Sequence, residues 1–150
     1  MPKKQFVNLN NARLKEQISV MKEIETIGVC PFCPEHLKKF HKKPILKKTR
    51  YWLLTKNQWP YENTRIHLLA ITRKHTETLS ELPKGAGEEL ISLARWAEKK
   101  FKIKSGGFGM RFGDPSMNGG TVRHLHAQIM TPLITNQKSK QYKPVRLRIG

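Results

Sequence analysis

The stretch that decides the reading is Asn118-Gly119-Gly120-Thr121-Val122-Arg123-His124-Leu125-His126-Ala127-Gln128-Ile129-Met130, a glycine-rich turn running into strictly alternating polar and apolar residues. A period of two is the pattern of a half-buried strand. On such a strand Leu125, Ala127 and Ile129 form a core-facing set, while His124, His126 and Gln128 share the opposite face, each about 7 Å from the next. Two imidazoles and an amide on one face read either as surface residues of an edge strand or as a polar site on an open face. Histidine supplies a nucleophile or acid/base group that titrates near pH ~6.5, and glutamine hydrogen-bonds without titrating. A Gly-Gly turn lets backbone N–H groups approach an anion closely. Together these features suit attack on a phosphorus centre.

The rest of the chain sets bounds on that reading. A length of 150 residues fits one domain with a single core. Twenty-nine Lys and Arg against eleven Asp and Glu give a formal charge of +18, which implies anionic partners: polyphosphate substrates or nucleic acid. The basic residues are spread through the chain, so charge alone does not choose between these. There is no run of about 18 apolar residues and no charged-then-apolar leader, so the expectation is a cytoplasmic protein without a membrane partner.

From Asn10 or Asn11, Leu14, Ile18, Met21 and Ile24 or Glu25 recur at helical spacing up to Gly28, which predicts an N-terminal helix behind a short basic tail. The only two cysteines follow in Val29-Cys30-Pro31-Phe32-Cys33-Pro34-Glu35-His36. A Cys-x-x-Cys turn aims both sulfurs at one point, and outside a strand-then-helix redox arrangement it reads as half of a tetrahedral zinc site. The remaining ligands come from His36, His41, His67, His75, His124 and His126. Pro44-Ile45-Leu46 and Tyr51 to Thr55 read as a hairpin, Asn57 to Asn63 as a polar loop, and 66–72 as an apolar strand. A helix is predicted from Gly87 to about Phe101, with Leu90, Ala94, Ala97 and Phe101 buried and Ile91 and Leu93 adjoining. A strand from Gly106 to Phe112 follows, with Phe108, Met110 and Phe112 on one face.

The phrase Gly-Gly-Thr-Val-Arg-His-Leu-His-Ala-Gln resembles the signature of the histidine triad superfamily, in the variant with glutamine at the third position. That variant is similar to the galactose-1-phosphate uridylyltransferase and diadenosine tetraphosphate phosphorylase branches. Hydrolase branches usually carry histidine there. The resemblance spans roughly residues 28–132, leaving 1–27 as a basic tail and helix and 133–150 as a basic C-terminal tail. It implies an α+β fold, a five-stranded antiparallel sheet with packed helices, and a homodimer.

It also implies roles. His126 would attack the α-phosphorus of a nucleotide substrate and carry the nucleotidyl group, with Gln128 and His124 completing the catalytic set. Ile66-His67-Leu68-Leu69-Ala70-Ile71-Thr72-Arg73-Lys74-His75 resembles the family phrase that ends in a metal ligand. A structural zinc would therefore be held by Cys30, Cys33, His75 and His124, with His36 as the rival ligand. Asn57-Gln58-Trp59-Pro60-Tyr61-Glu62-Asn63 is similar to the nucleoside pocket of adenylyl-transferring members, with Asn57 on the ribose. Asn118, Gly119, Gly120 and Thr121 would contact the phosphate.

Overall fold

The computed structural model of the chain describes residues 3–150. Its five strands are β1 Ile45–Lys48, β2 Trp52–Lys56, β3 Thr64–Thr72, β4 Gly107–Arg111 and β5 His126–Pro132. They form one sheet in the order β1-β2-β3-β5-β4, every neighbouring pair antiparallel. The helices are α1 Lys15–Ile27, α2 Pro34–Phe40, α3 Ala86–Lys100 and the single turn α4 Pro115–Asn118. This is the α+β fold, a five-stranded antiparallel sheet with packed helices, that the sequence implies.

The sheet is covered on both faces, which is why β3 is apolar almost without interruption. On one face α3 lays Ala86, Leu90, Leu93 and Ala97 against Trp52, Leu54, Leu68, Ala70, Ala127 and Ile129. The indole Nε1–H of Trp52 donates to the Ala86 carbonyl at 2.9 Å, which fixes the start of α3 over the sheet. On the other face Leu53, Leu69 and Ile71 meet Leu37 of α2. Beside them Met21 and Ile24 of α1 pack with Val7, Phe40 and Val122. His126 and Gln128 belong to this second face, opposite Ile71 and Leu69 in the β3 register. The face therefore lies under the N-terminal helices rather than open to solvent.

Several elements differ from the sequence reading for identifiable reasons. The first helix begins at Lys15, not at Asn10 or Asn11, because the Asn8 side chain accepts from the Asn10 N–H and closes a 3-10 turn over Leu9–Asn11. Short polar side chains compete in this way with helical hydrogen bonds. Leu14 consequently sits outside the stripe, 43% exposed, and the buried face is Gln17, Met21 and Ile24. Gly28 closes the helix at φ 76, a conformation glycine adopts without strain. Helix α2, which periodicity alone does not mark in seven residues, starts with Pro34 in the first turn and carries Lys38 and Lys39 in the last, as the helix dipole favours.

Helix α3 buries Ala86, Leu90, Leu93 and Ala97, with Ala94 and Phe101 at its margin and Ile91 facing outward. Phe108 and Phe112 are half exposed because β4 is an edge strand. The histidine strand begins at His126 rather than in the turn. Residues 115–118 form α4, capped by the Asp114 side chain on the Ser116 N–H, and Gly119 ends it at φ 80. Leu125 then bonds through its N–H to Thr76 and through its carbonyl to Thr72 before the ladder starts. Among the described residues no helix is long and apolar enough to cross a membrane.

The packing of α3 gives a direct stability test. Leu93 is 1% exposed at the centre of that layer, so Leu93→Ala is expected to lower unfolding free energy by about 2–5 kcal/mol. Denaturant titration measures this, and a loss below about 1 kcal/mol would show that α3 does not carry the core.

Candidate active site and metal centre

Cys30 and Cys33 lie in the loop between α1 and α2, His75 three residues beyond β3, and His124 just before β5. Their ligand atoms all fall within 4.8 Å of one another. Cys30 Sγ is 3.3 Å from His124 Nδ1, and Cys33 Sγ is 3.3 Å from His75 Nδ1 and 3.8 Å from His124 Nδ1. The far nitrogen of each imidazole is already engaged: His124 Nε2–H donates to the Thr72 carbonyl at 2.7 Å, and His75 Nε2 meets Glu77 Oε1 at 2.8 Å. Both Nδ1 atoms therefore point inward as unprotonated donors, the arrangement in which outer hydrogen bonds orient metal-binding histidines.

The Glu77 carboxylate is lowered in pKa because Lys4 and His75 outweigh the opposing effect of burial. Burial pushes the Cys30 thiol up to about 12 and raises Cys33 as well. Two buried thiols beside two oriented imidazoles thus form a donor set that a cation would convert to thiolates, so these four residues could hold a metal ion. His36 lies on α2 outside the cluster.

His126 sits next door with a different assignment. Its Nδ1–H donates to the His124 carbonyl at 2.7 Å, which leaves Nε2 with a free lone pair. Burial lowers its pKa to about 4, and nearby Arg111 adds to the effect, so the ring is neutral at pH 7. Phe32 packs edge-on against it, with ring centroids 5.2 Å apart. Gln128, two residues on, is only 1% exposed. His67 Nδ1 accepts the Tyr61 N–H at 3.0 Å, so its proton resides on Nε2 and is donated to Gln128 Oε1 at 2.7 Å. The Gln128 amide N–H then donates to Tyr61 Oη at 3.3 Å.

His126 opens onto a cavity of about 710 Å³ lined by Phe32, Phe40 and His41 from the α2 region, Asn57, Gln58, Trp59, Tyr61, Glu62 and Asn63 from the loop before β3, and Arg111. Two chain ends complete its wall: Asn10 to Arg13 with Gln17 and Met21, and Lys143, Pro144, Arg146 and Arg148. They are tied together. Asn11 Nδ2 donates to the Gly120 and Pro115 carbonyls, while Asn11 Oδ1 accepts from Arg148. Arg111 Nε donates to the Arg148 carbonyl at 2.8 Å, and Leu147 fills the space over Gly109 that a side chain would take.

Of the expected nucleotide contacts, Asn57, Gly119 and Thr121 face this cavity. Asn118 turns inward, bonding the Phe112 carbonyl and accepting the Gly120 N–H at 2.8 Å. That N–H is therefore already used, and Asn118 and Gly120 shape the turn. Tyr61 falls inside the phrase similar to a nucleoside pocket but has no contact of its own assigned there, and Arg13, Arg111 and the 143–148 segment of the basic tail carry no assigned role in the sequence. The weak signal for Arg111 was its place on a strand of alternating glycines, Gly107 and Gly109, where a lone long cation stands on the small-residue face.

No family model matches the sequence, and no curated protein matches it. The structure, by contrast, is similar to several solved ones. A Zn-bound histidine triad family protein from Mycobacterium smegmatis matches with a TM-score of 0.55 at 18% identity, covering 81% of this chain and 82% of the other. A HIT family hydrolase from Clostridium thermocellum matches at 0.53 and 20%, covering 73% and 95%. A hypothetical histidine triad nucleotide-binding protein from Sulfolobus tokodaii matches at 0.53 and 20%, covering 80% and 79%. The fold is the histidine triad fold. At these identities the likeness concerns architecture.

Two measurements check the site as described. Removal of bound metal by a chelator, or Cys33→Ser, is expected to lower the melting temperature by several degrees, with elemental analysis of untreated protein giving about one ion per chain; protein that is metal-free and equally stable as purified would contradict the donor assignment. The second concerns pH. Burial lowers the pKa of His41 and of His67 to about 4, against an unfolded value near ~6.5. Between those values the unfolded chain binds protons that the folded chain refuses, so stability is full above about pH 6.5 and falls as pH is lowered toward about 4. A melting temperature that stays flat over that window would contradict neutral, buried imidazoles.

Proposed function

We propose that the protein is a nucleotidyltransferase or phosphorylase that passes a nucleotidyl group through a covalent bond to His126, acting on dinucleoside polyphosphates or related adenylyl substrates. The observation that carries this reading is the His126 ring itself: Nδ1 is committed to the His124 carbonyl at 2.7 Å, and Nε2 is left as a neutral nucleophile at the cavity wall. An imidazole fixed in one tautomer attacks without first losing a proton, and the covalent intermediate splits one hard displacement into two easier ones. In the first step the Nε2 lone pair forms an N–P bond to the α-phosphorus, the P–O bond to the leaving phosphate breaks, and its electron pair leaves with that oxygen. In the second step an oxyanion of inorganic phosphate attacks the same phosphorus, and the N–P electron pair returns to Nε2.

The cavity's charge supports a polyphosphate substrate. Arg13, Arg111, Lys143, Arg146 and Arg148 line it, and none is paired with a carboxylate among the described residues. Asn57 is the ribose contact in this reading, and Gly119 and Thr121 serve the phosphates. The ion at Cys30, Cys33, His75 and His124 is proposed to be zinc in a structural role. When bound it neutralises two thiolates and braces the α1–α2 loop against the start of β5, so that His124 presents its carbonyl squarely to His126. We also propose that two chains pair through the β4 edge, where Phe108 is half exposed.

His126→Ala is expected to reduce turnover by at least about 10³-fold while leaving the melting temperature within a few degrees of the parent. In the parent, product release should depend on added phosphate. Full-rate release of nucleoside monophosphate without phosphate would favour a hydrolase of the same fold. Retention of activity in His126→Ala would remove the covalent mechanism.

A further inference from the structure

The hydrogen-bond order around Gln128 redirects the question of what stabilises charge in this cavity. Gln128 is buried at 1% exposure and does not line the cavity. Both ends of its amide are spoken for, the oxygen by His67 and the nitrogen by Tyr61 Oη. Tyr61 Oη also accepts from Arg111 Nη1 at 2.6 Å. A phenol oxygen that accepts two hydrogen bonds has its lone pairs occupied, and its own proton must find an acceptor elsewhere. Tyr61 lines the cavity, and among the described residues nothing accepts that proton.

Arg111 stands directly across the β4–β5 ladder from His126. Cross-strand neighbours carry their Cβ atoms about 4.5–5.5 Å apart, so the guanidinium starts from the nucleophile's own neighbourhood. Its Nε is held by the Arg148 carbonyl and its Nη1 by Tyr61 Oη, while among the described residues Nη2 has no hydrogen-bond partner and no carboxylate is paired with the group. The guanidinium is clamped on one side and uncompensated on the other. Such a preorganised cation beside a hydroxyl proton is the arrangement that stabilises charge developing on a phosphoryl oxygen.

We propose that Tyr61 and Arg111 are the catalytic residues that receive the non-bridging oxygens of the phosphoryl group attacked by His126, and that Gln128 is a positioning residue which aims the Tyr61 proton into the cavity. This rests on the reading of His126 as the nucleophile. Negative charge grows on those oxygens as the N–P bond forms, and it meets the Tyr61 O–H and the free guanidinium N–H groups without any donor having to reorient. The His67 to Gln128 to Tyr61 chain sets the direction of the phenol. Were Gln128 an acceptor rather than a donor toward Tyr61, the phenol proton would turn inward and be lost to the substrate.

The test has one arm that needs no turnover. Adenosine and adenosine monophosphate differ only by the phosphate, so the ratio of their dissociation constants, measured by calorimetry on the full chain, reports the anion site. The expected ratio is at least about 30-fold in favour of the monophosphate. It should fall about tenfold in Arg111→Gln, less in Arg111→Lys, and about threefold in Tyr61→Phe. In turnover of diadenosine tetraphosphate, Arg111→Gln should lower kcat by about 100-fold and Tyr61→Phe by about tenfold, with melting temperatures recorded on the same samples.

Gln128→Glu, of the same size but only an acceptor when ionised, should match Tyr61→Phe in kcat and add nothing further in the Tyr61→Phe background. An additional loss there would mean that residue 128 acts on substrate directly. If Arg111→Gln and Tyr61→Phe fold normally and leave both the binding ratio and kcat within threefold of the parent, the proposal is overturned, even with His126 confirmed as nucleophile. If the parent never turns over but shows a binding ratio that both variants abolish, the transfer reading fails and the anion site stands.

Discussion

Every imidazole in this site has one ring nitrogen already spent, and the function proposed here depends on which one. His124 and His75 are held through Nε2, by the Thr72 carbonyl and the Glu77 carboxylate, so Nδ1 turns toward the cysteines. His126 is held through Nδ1 by the His124 carbonyl, so Nε2 turns toward the cavity. Two histidines separated by one residue thereby acquire opposite free nitrogens and separate tasks. The assignment is enforced by backbone: the β3–β5 ladder puts Thr72 and the start of β5 side by side. Burial of both rings keeps them neutral, so each fixed tautomer persists at ordinary pH.

Much of this was legible in the sequence because it is written at short range. The alternation around Ala127 and Ile129 marks the strand, the Cys30-x-x-Cys33 spacing marks half a metal site, and the ten-residue phrase from Ile66 to His75 marks β3 and its extension. The resemblance of these phrases to one superfamily supplied the architecture, a five-stranded antiparallel sheet with packed helices, and the folded chain has it. What short range could not carry was the cover of the sheet. By its sequence the Gly119-Gly120 turn lets backbone N–H groups approach an anion, yet Asn118 takes the Gly120 N–H and Asn11, more than a hundred residues away, holds the Gly120 carbonyl. Contacts of that range are set by how the chain ends pack, and alternation says nothing about them.

The same limit hid Tyr61 and Arg111. They meet across fifty residues of sequence, and Arg111 is one of twenty-nine basic residues with no spacing to distinguish it. The direction of the Gln128 amide depends in turn on the tautomer of His67, which depends on a single N–H from Tyr61. Glutamine in the strand reads as a group that faces substrate beside His126. In the folded chain it stands one layer back and donates to Tyr61, which lines the cavity. The N-terminal segment and the 143–148 segment close over this arrangement, and the carbonyl of Arg148 holds the guanidinium of Arg111 in place.

The central claim is that His126 becomes covalently nucleotidylated, and intact mass of the protein after brief incubation with a dinucleoside polyphosphate, followed by peptide mapping, tests it most directly. The account predicts an added mass of one nucleoside monophosphate residue, located on His126 and discharged by inorganic phosphate. A folded, metal-loaded protein that turns the substrate over while acquiring no adduct, or acquires one on another residue, would contradict it.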